Sequence, residues 1–140
     1  MPDELPEDLT DALQDARRAE KEHALFYRAL AAAAEERGDA VLSERFNELH
    51  ADEQHHLSRL TARLLELGAA LDDLGDIAPG EARLEGWEDE ARRREEGEVA
   101  RYEGMLESGD IDAQTEALLR EILDTERHHA AELGGKWTAA

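Results

Sequence analysis

The chain has 140 residues, no cysteine and a formal net charge of −20 at pH 7. That length suits one domain, and the missing thiols exclude disulfides, zinc–thiolate knuckles and cysteine-held iron–sulfur clusters. The negative balance argues against nucleic acid and anionic membrane as partners and suits cation binding.

Met1-Pro2-Asp3-Glu4 is acidic and no apolar stretch follows it, so it does not read as a signal peptide. No apolar run approaches a membrane span, and a soluble, cytoplasmic protein is expected. The apolar periodicity is helical throughout and β-branched residues do not cluster, so the expected fold is all-α. The first helix should run from about residue 7, after Pro6, to Arg37. Its inward stripe is Leu9, Leu13, Ala16, Glu20, His23 or Ala24, Tyr27, Leu30 and Ala34. Gly38 breaks it and Asp39 can cap the second helix, expected over about 40–67 with Phe46, Leu49, Glu53, His56, Leu60 and Leu64 inward. Gly75, Pro79 and Gly80 mark a connector. The third helix is expected over about 81–107, with Ala91, Glu95, Glu98, Tyr102 and Met105 inward. After the Ser108-Gly109-Asp110 turn the fourth runs over about 111–133, with Leu118, Ile122, Glu126, His129 and Leu133 inward.

Two short turns and one long connector predict a single domain, residues 1–140, built as a four-helix bundle of two antiparallel hairpins. About 14 connector residues reach roughly 46 Å when extended, against an axial gap of roughly 40 Å. The connector can therefore lie along the bundle, or it can swap the second hairpin onto another subunit.

Chemistry enters through a repeat. Glu53-Gln54-His55-His56 recurs as Glu126-Arg127-His128-His129. Each copy follows a helix carrying a Glu with a Tyr seven residues later: Glu20 and Tyr27, then Glu95 and Tyr102. The Glu-to-Glu spacings are 33 and 31 residues. All six acidic and imidazole positions fall on apolar stripes, where an unpartnered carboxylate carries a desolvation cost of about several kcal/mol. Two divalent ions would balance four carboxylates, and two neutral histidines would complete the coordination without adding charge. The i, i+3 spacing sets Glu and His of each motif on one helix face. In so Glu-rich a chain one Glu-x-x-His arises by chance about once; two copies with matched upstream Glu and Tyr do not. The candidate metal ligands and catalytic residues are thus Glu20, Glu53, His56, Glu95, Glu126 and His129. Carboxylate and imidazole donors suit iron or manganese, and zinc fits as well. Glu98, one turn after Glu95, is a candidate seventh ligand. Tyr27 and Tyr102 are candidates to hydrogen-bond the carboxylates. His23, three residues after Glu20, can face the site directly, pack beside it or hydrogen-bond a ligand, and His55 and His128 turn away from it. Trp87 is expected to start the core of helix 3 or to meet another subunit, and Trp137 to anchor the tail.

These residues, across about 15–133, resemble the ferritin-like di-iron superfamily and within it the rubrerythrin family. The resemblance implies that Glu20 and Glu95 are terminal carboxylates, Glu53 and Glu126 bridging ones, and His56 and His129 the imidazole ligands. Tyr27 and Tyr102 are similar to the family's buried tyrosines, and Glu98 to its extra helix 3 carboxylate. It implies two iron ions, with hydrogen peroxide or dioxygen as oxidant, in a peroxidase or, alternatively, a ferroxidase or iron-storage protein. The rubredoxin-like module typical of rubrerythrins is missing, so an external electron donor protein is expected. A homodimer fits the resemblance better than a cage, because no further helix follows the fourth.

Overall fold

The computed structural model describes residues 4–135 and 137, with side chains from residue 9 onward. The acidic start at residues 1–3 and the remainder of the tail, 136 and 138–140, lie outside the described residues. Among those described there are four α-helices and no strand: α1 (Glu4–Arg37), α2 (Ala40–Glu66), α3 (Trp87–Glu107) and α4 (Ala113–Glu132). None of these helices is long and apolar enough to cross a membrane. The chain forms two compact units, one over Leu13–Glu85 and one from Gly86 onward together with the start of α1.

In the first unit α1 and α2 form an antiparallel hairpin. Its rungs are Ser43 Oγ to Glu35 Oε1 at 3.3 Å, His50 Nδ1 to the Ala24 carbonyl at 2.9 Å and Arg17 Nε to Thr61 Oγ1 at 2.9 Å. Gly38, at φ 78°, supplies the left-handed residue that ends α1, and Asp39 Oδ1 then accepts from Leu42 N at 3.1 Å to cap α2. The inward positions Leu13, Ala16, Tyr27, Leu30, Phe46, Leu49, Leu60 and Leu64 are all buried.

The connector runs along α1 of its own hairpin. Gln14 Nε2 donates to the Ala70 carbonyl at 2.6 Å, and Arg17 Nη1 to that of Asp72 at 2.9 Å. At the opposite end of α1, Arg37 lies 3.8 Å from Glu85. Between Asp72 and Glu85 the connector thus runs along α1, from the level of Arg17 to that of Arg37.

In the second unit α3 packs antiparallel to α4, with Arg127 Nη2 donating to Glu103 Oε2 at 2.7 Å. Asp112 caps α4 twice, accepting from Thr115 N at 3.0 Å and Thr115 Oγ1 at 2.7 Å. Trp87 is buried at the start of α3, as expected of a core residue. Beside it Glu88, also buried, accepts the backbone N–H groups of Gly135 at 2.8 Å and Trp137 at 2.9 Å. The tail after α4 is thus tied through its backbone to α3.

Two helix starts differ from expectation. α1 begins at Glu4, because Pro6 in the first turn lacks only an N–H that has no helical acceptor there. α3 begins at Trp87 rather than near 81. Gly86 takes φ 70° and interrupts the run, and Glu88, Asp89 and Glu90 then meet the positive end of the new helix.

Candidate metal centre

Each hairpin brings together one Glu-x-x-His and the Glu of the preceding helix. In α1–α2, Glu20 sits at a buried position of α1, while Glu53 and His56 continue the stripe of Phe46, Leu49, Leu60 and Leu64 on α2. Glu20 and Glu53 are 0% exposed and His56 4%. His56 Nδ1 lies 3.4 Å from Glu20 Oε1 and 3.4 Å from Glu53 Oε1. In α3–α4, Glu95 is on α3, and Glu126 and His129 interrupt the stripe of Leu118, Ile122 and Leu133 on α4. His129 Nδ1 lies 3.4 Å from Glu95 Oε2 and 3.3 Å from Glu126 Oε1.

These separations carry chemical meaning. An N–H···O hydrogen bond prefers about 2.7–3.2 Å. Two donors bound to one ion at roughly 2.1 Å stand roughly 3.0 Å apart at a right angle and about 3.4 Å apart at the tetrahedral angle. The four nitrogen-to-oxygen distances fall at the spacing of donors that share an ion. Within the first hairpin Glu20, Glu53 and His56 each offer a ligand atom within 4.8 Å of the others, and His23 offers one within 4.8 Å of Glu53; within the second, Glu95 and Glu126 offer ligand atoms within 4.8 Å of each other. These buried Glu and His groups can hold a metal ion.

The metal-free electrostatics fit the same picture. Burial pulls the His56 pKa down, but the Glu20 and Glu53 carboxylates outweigh it and hold the group up at about 10. Burial pushes the Glu53 pKa up, yet His23 first and His56 after it keep that carboxyl well below the usual range. A proton on His56 therefore occupies, in charge, the place a cation would take.

The other candidates divide. Tyr27 and Tyr102 are fully buried, and Tyr27 stacks on His23 with ring centroids 4.7 Å apart. His23 is buried and reaches Glu53. Glu98 is buried on α3, and its Oε1 accepts from Arg101 Nε at 3.3 Å, a contact the motif pattern did not single out although i, i+3 spacing permits it. His55 and His128 are exposed, as expected. His50 is pinned by its bond to the Ala24 carbonyl. Comparison with protein-family models and with curated proteins gives no match.

Proposed function

We propose that this chain is a ferritin-like di-metal protein of rubrerythrin type, and that it reduces hydrogen peroxide. The observation that carries the reading is the repetition. Two hairpins each present two buried carboxylates and one imidazole Nδ1 at 3.3–3.4 Å, the spacing of ligands around one ion. Together the two triads supply four carboxylates and two histidines, the composition of di-iron carboxylate sites.

Bound iron(II) at both positions would supply the two electrons that, with two protons, turn one peroxide into two waters. The chain's own residues set the conditions for it. Glu20, Glu53, Glu95 and Glu126 offset the charge of the metals at positions closed to bulk water. His56 and His129 add donors without adding negative charge. Tyr27 and Tyr102 seal the helix faces two turns from Glu20 and Glu95. These 140 residues hold no cysteine for a rubredoxin-type module, so in this reading the reducing electrons reach the site from outside them. A second reading with the same ligands is a ferroxidase, in which iron(II) is itself the substrate and no donor is needed.

An anaerobic iron(II) titration followed by rapid mixing with peroxide or with oxygen separates these readings. Two irons per chain, oxidised much faster by peroxide, support the peroxidase. Faster oxidation by oxygen supports the ferroxidase. No stoichiometric uptake would remove the metal reading altogether.

A further inference from the structure

A cavity of about 540 Å³ lies between α1, α2 and the connector, and none of the residues proposed to bind metal lines it. That size suits a small-molecule site. Its lining has two characters. Arg17 and Lys21, one turn apart on α1, line it together with Ser58 and Thr61 of α2. Leu57, Ala62 and Leu65 of α2 and Leu74 of the connector supply the apolar remainder. Leu65 is 57% exposed, so this apolar surface is left in water.

The two cations carry the argument. The sequence has 36 acidic residues against 16 basic ones, so a carboxylate partner is within reach of almost any cation. Arg17 instead donates from Nε to Thr61 Oγ1 at 2.9 Å and from Nη1 to the Asp72 carbonyl at 2.9 Å, both neutral acceptors. Among the described residues no carboxylate lies within ion-pair distance of Arg17 or Lys21. The Arg17 bonds also fix its guanidinium, so little freedom remains to be lost when an anion accepts from Nη2. Thr61 Oγ1 is held in turn by donating to the Leu57 carbonyl at 2.8 Å. Asp73 of the connector is engaged by the backbone, its Oδ1 accepting from Gly75 N at 2.8 Å.

We propose that this cavity binds a monocarboxylate with a hydrocarbon chain, its carboxylate on Arg17 and Lys21 and its chain along Leu57, Leu65 and Leu74. An inorganic anion would satisfy the cations and leave the leucines wet. A neutral lipid would do the reverse. The proposal does not rest on the metal reading and stands or falls apart from it.

The test is calorimetric titration of the full-length protein with octanoate at neutral pH. One octanoate per chain is expected to bind. Octanol lacks the charge, and acetate and inorganic phosphate lack the chain, so each should bind at least about tenfold more weakly. Lys21→Gln should weaken octanoate binding by about tenfold. Ala62→Trp, at an exposed position, should fill the cavity and abolish binding. Arg28→Gln, on the same helix but outside the cavity, should bind like the wild type. Arg17 is left intact because its bonds hold the connector. No uptake of octanoate, or uptake unchanged in either Lys21→Gln or Ala62→Trp, would overturn the proposal. So would phosphate or octanol binding as tightly as octanoate, because the site would then read charge alone or chain alone. Should Ala62→Trp fail to fold, Lys21→Gln decides together with the amide resonances of Thr61 and Gly75 in the wild type. Octanoate should shift both; shifts confined to other residues would place the ligand outside this cavity and refute the proposal.

Discussion

His56 stands between two buried carboxylates, and that placement decides how the metal-free protein titrates. Its folded pKa of about 10 lies above its ordinary 6.5. The stability it contributes is therefore complete below pH 6.5 and is lost as pH rises through about 10. Glu53 behaves oppositely. Its folded value is depressed, so its contribution is present above its ordinary 4.5 and is lost as pH falls towards the folded value. Urea unfolding of the metal-free protein should accordingly show a stability plateau between these limits and a fall at alkaline pH that His56→Ala removes. Metal must also displace the His56 proton, so apparent affinity should rise by about tenfold per pH unit across neutrality. Calorimetry in two buffers of different ionisation enthalpy should find about one proton released for that histidine; none released would contradict the charge exchange. The residues of this cluster were legible in sequence because Glu53 and His56 repeat as Glu126 and His129 at helical spacing. The His23–Glu53 contact was not, because it depends on the rotamers of two side chains from different helices. Spacing placed His23 on the right face and could not choose between packing, hydrogen bonding and a direct role.

Helix identity was legible for the same reason that helix register was: apolar residues recur every three or four positions over long stretches. Helix starts were harder. Asp39 signalled a cap and accepts from Leu42 N, whereas Asp112, which caps α4 by accepting from Thr115 N, was not singled out. The third helix was expected from about residue 81, but the left-handed φ of Gly86 ends that pattern and leaves residues 81–85 in the connector. Only the backbone conformation of that glycine carries the information, and a glycine in sequence is compatible with either outcome. The Asp112 cap offers a prediction on this scale. Its two bonds to Thr115 hold the first turn of α4, well before Glu126 and His129. Asp112→Ala should cost about 1 kcal/mol in chemical denaturation. It should leave cobalt(II) affinity within a few-fold of wild type. A large loss of affinity would mean that the start of α4 helps to set the ligands, and the separation of cap from site would be wrong.

For the molecule as a whole, 36 acidic residues face only 16 basic ones. Surface pairs such as Arg127–Glu103 and Arg120–Glu116 leave most of that excess unbalanced. Self-repulsion of this kind is screened over about 30 Å at 0.01 M salt and about 3 Å at 1 M. The unfolding midpoint of the metal-free protein should therefore climb with sodium chloride, and a flat response would mean that the net charge does not limit stability. Metal answers a more local form of the same problem, and its stoichiometry tests how the two triads act. Each triad supplies three ligands, whereas a divalent ion takes at least four. Neither hairpin can complete the coordination of an ion on its own, unless water fills the remainder. If the two triads serve one shared centre, Glu53→Ala and His129→Ala should each disturb both ions, although they lie in different hairpins. Titration of either variant should then show loss of both tight equivalents. If the triads act separately, each variant should keep one equivalent at wild-type affinity and lose the other. That second outcome would leave two independent single-metal sites, and the two-electron reduction of peroxide would lose its basis.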